Sequence, residues 1–156
     1  MISIEDKLEI LSKLAASFNE QGITWAVGAS LLLYFKGYVD TFHDLDIMVT
    51  EKDSLLMDKI LSEIGELRIS EKGNFATKYF REYVIESVDL DMIGGFAIVR
   101  DGEVINCDLD KSQIIGFVDV HGQSIPLHSV SLWRKYYALM GRDKRVELID
   151  QKGFLE

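Results

Sequence analysis

The segment Phe42-His43-Asp44-Leu45-Asp46-Ile47-Met48-Val49 places two carboxylates, one residue apart, inside an otherwise apolar run. In a strand, residues i and i+2 share a face. Asp44, Asp46 and Met48 then point one way, and Leu45, Ile47 and Val49 the other. The apolar face can dock on a core. The other face carries two negative charges about 7 Å apart along the strand. Such charges repel unless a cation lies between them, and a divalent metal held by oxygen ligands suits the pair.

The surrounding pattern predicts an α/β (α+β) chain with early and late helices around a mixed sheet. Ser3 and Asp6 form a capping box, followed by an apolar stripe at Ile4, Leu8, Leu11, Ala15 and Phe18 that ends at Gly22. Ile23–Val27 reads as a short strand, Gly28-Ala29-Ser30 as a turn, and Leu31–Lys36 as a helix ended by Gly37. The acidic strand runs from Asp44 to Thr50. Thr50 and Asp53 cap a helix that continues to about Ile64, where Gly65 closes it. Turn signals at Gly73-Asn74, Gly94-Gly95, Asp101-Gly102 and His121-Gly122 divide a β-prone half. Its runs are Phe75–Ile85, Ser87–Ile93, Phe96–Arg100, Glu103–Leu109 and Ile114–Val120, and Asp101-Gly102 marks a hairpin. After Pro126 come two helices, Ser131–Met140 and Arg142–Gln151, separated by Gly141. The length of 156 residues fits one domain spanning 1–156.

Three features converge on one chemistry. A strand enters Gly28-Ala29-Ser30 and a helix leaves it; the free N–H groups of a first helical turn favour phosphate, and Ser30 adds a hydroxyl. The Asp44/Asp46 strand follows fourteen residues later. A further acidic strand, Ser87-Val88-Asp89-Leu90-Asp91-Met92, sets Asp89 and Asp91 on one face. If it neighbours the first, three or four carboxylates meet. Three can hold two magnesium ions beside a triphosphate.

Val27-Gly28-Ala29-Ser30, then Asp44-Leu45-Asp46-Ile47, then Leu90-Asp91-Met92, resembles the polymerase-β-like nucleotidyltransferase superfamily. Its small single-domain members are most similar: lincosamide- and aminoglycoside-modifying enzymes and minimal nucleotidyltransferases of toxin–antitoxin pairs. The resemblance covers residues 23 to about 150. It includes Ile125-Pro126-Leu127-His128-Ser129 and Gly141-Arg142-Asp143-Lys144, which are similar to the closing helices of such members.

The resemblance implies the polymerase-β-like nucleotidyltransferase fold and an enzyme. That enzyme is a magnesium-dependent nucleotidyltransferase moving a nucleoside monophosphate, AMP from ATP in the family's usual case, to a hydroxyl of a small molecule or protein. It implies that Gly28 and Ser30 bind phosphate, with Ala29 standing where a second glycine is frequent. It implies Asp44 and Asp46 as ligands to both metals and Asp91 as the third carboxylate, with Asp89 as the alternative. Cys107-Asp108-Leu109-Asp110 also sets an acid between apolar residues, but one hairpin further on. Lys144 matches a basic residue that reaches the phosphates, and Arg145 stands where many members have an acid. The same fold also serves as a binding module or antitoxin acting through a protein partner, and a homodimer would supply an acceptor wall.

Other features set bounds. The net charge of −9 argues against a broad nucleic-acid surface. No apolar run reaches the roughly 18–20 residues of a membrane span, and no signal peptide is evident. The one cysteine, Cys107, excludes an internal disulfide and suits the cytoplasm. His43, His121 and His128 lack zinc-ligand spacing. Lys78-Tyr79-Phe80-Arg81-Glu82-Tyr83 mixes basic and aromatic residues, which suits stacking on a base or lining an acceptor pocket, but a half-buried strand is the favoured reading. Trp133, Tyr136, Tyr137 and Met140 fall at helical spacing and read as core.

Overall fold

The computed structural model describes residues 2–68 and 76–154. Helix α1 (Ile4–Glu20) starts on the predicted capping box, in which Ser3 and Asp6 each accept from the other's backbone N–H. Strand β1 (Trp25–Val27), helix α2 (Ala29–Phe35), strand β2 (Leu45–Val49) and helix α3 (Ser54–Ile64) follow. Then come β3 (Glu66–Arg68), β4 (Tyr79–Ile85), β5 (Val88–Gly94), β6 (Ala97–Arg100) and β7 (Glu103–Asn106). Strands β8 (Gly116–Val120) and β9 (Gln123–Leu127) precede α4 (Val130–Leu139) and α5 (Asp143–Lys152). The expected Gly73-Asn74 turn and Phe75 lie outside the described residues.

Seven strands form one sheet in the order β3-β4-β5-β2-β1-β9-β8, and β6 and β7 form a separate hairpin. Strand β2 pairs parallel with β5 and β1 parallel with β9; the remaining ladders are antiparallel. The sheet is therefore mixed, as the pattern predicts. The Asp101-Gly102 hairpin forms with both residues at positive φ, and His121-Gly122 does the same between β8 and β9.

Two strands escape the sequence pattern. Strand β3 has three exposed residues and no apolar alternation. Strand β9 contains Pro126, which reads locally as punctuation before a helix. The carbonyl of Leu127 accepts from Ile115 on the β8 side, so alternation turns Pro126's missing donor toward β1. Pairing with β1 is confined to Val27 and Leu127, so the proline interrupts no ladder there.

The apolar face of β2 is fully buried: Leu45 and Ile47 have no exposed surface, nor do Leu90 and Met92 beside them on β5. Each such side chain contributes about 1.5–3 kcal/mol by leaving water. Helix α3 covers this face. A Cβ on Gly94 would strike Ser54, so that β5 glycine sets how closely α3 approaches. The opposite face carries Asp46 and Met48, and side chains of α4 meet it.

Candidate active site

Strand register assembles the site as one row across the sheet. The amide of Gly28 donates to the Asp46 carbonyl at 3.1 Å. Asp46 stands opposite Asp91 on β5, Asp91 opposite Glu82 on β4, and Glu82 opposite Arg68 on β3. Directly opposed residues share a face. Three acids thus lie side by side on the face away from α3. Asp44, just before β2, joins them, and carboxylate oxygens of Asp44, Asp46 and Asp91 lie within 4.8 Å of one another.

A cavity of about 480 Å³ opens over this row. Ala29 and Ser30 form one wall, Phe80 and Glu82 the opposite one, and Trp133, Tyr137 and Arg142 part of the roof. Asp46 carries an electrostatic penalty there. Burial pushes its carboxyl well above the usual range, and the charges of Asp91 and Asp44 push it further; Arg142 and Arg145 oppose them. Tyr137 is pushed up to about 12, first by burial and then by the charge of Asp46.

The structure separates the two acids of β5. Asp91 joins Asp44 and Asp46. Asp89 lies on the same face but is held by Arg68 at 3.1 Å and by His43 at 3.2 Å. A second group of ligand atoms, His43, Asp44 and Asp89, lies at the N-terminal end of the strands. Asp108 sits elsewhere, accepting from the amide of Glu51 at 3.1 Å. Asp110 caps the short turn Lys111–Gln113.

Gly28 has a different neighbour from the one its sequence suggests. A Cβ there would lie 2.6 Å from Cζ2 and 2.9 Å from Nε1 of Trp133, so the indole occupies its side-chain space. Ala29 adopts φ 48°, a left-handed conformation, and lines the cavity with Ser30. Lys144 is exposed and does not line the cavity. Its neighbours in sequence do the approaching: Arg142 lines the cavity, and Arg145 Nη2 donates to Ser30 Oγ at 3.3 Å.

Of the cavity residues Glu82, Phe80 and Arg142, the first two belong to the run that also suited an acceptor pocket, and Arg142 has no signal of its own in the sequence. Alternation in Tyr79-Phe80-Arg81-Glu82-Tyr83 was the available signal for the first two, since Phe80 and Glu82 share a face. Trp133 and Tyr137 are core residues as expected, each 2% exposed, and they line the cavity as well. Among the described residues, no helix is long and apolar enough to cross a membrane.

No protein-family model matches the chain, and no curated protein matches it. Solved structures do. A candidate nucleotidyltransferase from Thermotoga maritima is 24% identical, with 97% of this chain and 94% of that one aligned at a TM-score of 0.73. ANT(2″)-Ia, solved with adenylyl-2″-tobramycin, is 12% identical over 94% of this chain and 90% of its own, at 0.62. The lincosamide antibiotic adenylyltransferase LnuA, solved with lincomycin, is 11% identical over 96% of this chain and 97% of its own, at 0.61. With the mixed sheet and its row of acids, these likenesses identify the architecture: the chain adopts the nucleotidyltransferase fold.

Proposed function

We propose that the protein is a magnesium-dependent nucleotidyltransferase that moves a nucleoside monophosphate, AMP from ATP as the expected case, to an acceptor hydroxyl. The observation that carries this reading is the convergence of Asp44, Asp46 and Asp91 within 4.8 Å at the floor of one cavity. Three hard oxygen donors at this spacing fit Mg²⁺. The charge that Asp46 is forced to share with Asp44 and Asp91 is what a divalent ion would relieve. Asp44 and Asp46 would hold two ions, and Asp91 the second of them. Bound there, the metal supplies charge neutralisation at the transferring phosphoryl group and lowers the pKa of the attacking hydroxyl.

The chain's own groups divide the remaining work. Ser30 and the guanidinium groups of Arg142 and Arg145 receive the β- and γ-phosphates at the β1 side of the row. The acceptor oxygen attacks the α-phosphorus, the bond to the bridging oxygen breaks, and pyrophosphate leaves toward the arginines. Asp91 receives the hydroxyl proton at the opposite side. Tyr137 and Trp133 close the cavity against water.

The test is to incubate the protein with magnesium, each nucleoside triphosphate and a panel of hydroxyl acceptors, and to follow pyrophosphate. Release should be lost in Asp44→Asn and Asp46→Asn. Absence of nucleotide binding, together with no release for any acceptor, overturns the reading.

A further inference from the structure

We propose a second metal site, formed by His43, Asp44 and Asp89 and suited to zinc rather than magnesium, at which a bound ion inhibits the adjacent site by engaging Asp44. The site stands on its own geometry; the inhibition rests on the nucleotidyl-transfer reading above. His43 and Asp44 precede β2, and Asp89 lies near the start of β5. These strands run parallel, and Asp44 and Asp89 each precede by one residue the paired Leu45 and Leu90. The register therefore sets the two acids side by side at the N-terminal end of the ladder. Lys7 Nζ donates to the Phe42 carbonyl at 3.1 Å and fixes the backbone that presents His43. The imidazole Nε2 lies 3.4 Å from Asp44 Oδ1 and 3.2 Å from Asp89 Oδ2, and one ligand atom from each of the three lies within 4.8 Å of the others.

Ligands about 2.0–2.1 Å from a tetrahedral zinc ion are themselves about 3.3–3.4 Å apart, so the imidazole already stands at ligand spacing from both acids. Donor type decides the ion. Asp44, Asp46 and Asp91 offer oxygen alone, which suits magnesium; an imidazole beside two carboxylates favours zinc and its neighbours in the first-row series. Asp89 is oriented from behind: Arg68 Nη2 holds its Oδ1 at 3.1 Å and leaves Oδ2 toward His43. Outer partners of this kind fix a ligating carboxylate. The His43 side chain is 79% exposed, so an ion enters from solvent and water completes its coordination. Histidine spacing does not encode this site, because one histidine and two aspartates from two strands form it. Asp44 belongs to both groups. A carboxylate engaged beside His43 is withdrawn from the magnesium ions, and repulsion between closely placed divalent ions adds to the competition.

Two measurements test this. First, zinc is titrated by calorimetry and cobalt by visible absorption into Asp91→Asn protein, whose magnesium group has lost a ligand, alone and with His43→Ala or Arg68→Ala added. One zinc per chain is expected, with a four-coordinate cobalt band. His43→Ala should remove that band and weaken zinc by about tenfold or more. Arg68→Ala should weaken zinc by roughly tenfold. Second, pyrophosphate release is followed at fixed magnesium as zinc is added to wild type and to His43→Ala. Zinc should inhibit wild type, added magnesium should restore the rate, and His43→Ala should require about tenfold more zinc. Zinc affinity and a cobalt band unchanged by His43→Ala overturn the site and leave His43 an ion-pair partner of the two acids. Equal zinc sensitivity of wild type and His43→Ala overturns the inhibition. Zinc binding through His43 in a protein that releases no pyrophosphate with any acceptor supports the site and counts against the transfer reading.

Discussion

Gly28 and Trp133 are in mutual contact: the indole lies where a side chain at residue 28 would be, 2.6 Å from the Cβ position. Helix α4 is thereby set against the turn between β1 and α2. Gly28→Ala should destabilise the protein by about 1–3 kcal/mol through overpacking. Trp133→Phe removes the part of the ring that clashes. The double variant should therefore recover stability beyond the sum of the two single changes, with a coupling above about 0.5 kcal/mol in chemical denaturation. Strict additivity would mean that the glycine serves only the approach of a ligand.

Ala29 follows at φ 48°, where an L side chain is disfavoured by about 1–2 kcal/mol. Ala29→Gly relieves that strain but gives back about 0.5–1 kcal/mol in unfolded-state entropy. The net expectation is a raised urea midpoint with an unchanged m-value. A lowered midpoint would show that the methyl group's packing outweighs the backbone strain.

These two residues mark the limit of what the sequence conveys. The row of carboxylates was legible because it is a period-2 pattern on strands, and Asp44, Asp46 and Asp91 converge as that pattern requires. The strand pattern alone leaves Asp91 and Asp89 equivalent, because both share a face; the family resemblance favours Asp91, and in the fold Asp89 pairs with Arg68 on β3, a strand with no apolar signature. Glu82 joins the row through β4–β5 register, which no local motif encodes. Helical phase in α5 turns Lys144 outward and Arg145 toward Ser30, a difference that one residue of sequence does not reveal before the helix is docked.

That phase yields a direct comparison. Hydrogen bonds to charged groups contribute about 1.5–3 kcal/mol. Arg145→Ala and Arg142→Ala should each weaken binding of magnesium and a triphosphate by roughly tenfold or more, since 1.4 kcal/mol is a factor of ten. Lys144→Ala should stay within twofold. The reverse order in calorimetric titration would return the phosphate role to Lys144.

Arg68 and Asp89 give a second comparison. Asp89 is engaged by Arg68 and His43, outside the group formed by Asp44, Asp46 and Asp91. Asp89→Asn should leave magnesium affinity within about threefold, whereas Asp91→Asn should lower it by tenfold or more. Manganese titration followed by electron paramagnetic resonance reads both. Equal losses would place both acids at the metals.

Asp46 couples the site to pH. Burial, then Asp91 and Asp44, raise its folded-state pKa above the ordinary carboxylate value it has in the unfolded chain. The folded protein therefore holds the proton more tightly, and its stability advantage is present at low pH. It is lost as pH rises from the ordinary carboxylate range through the raised folded-state pKa, by at most about 1.4 kcal/mol per pH unit for one group. In the presence of a chelator, wild type should melt at progressively lower temperature than Asp46→Asn as pH increases from 5 to 8. Magnesium should close that gap by favouring the ionised carboxylate in the folded state. Parallel melting curves for the two proteins across this range would mean that Asp46 is ionised throughout and that solvent, rather than a metal, accommodates its charge.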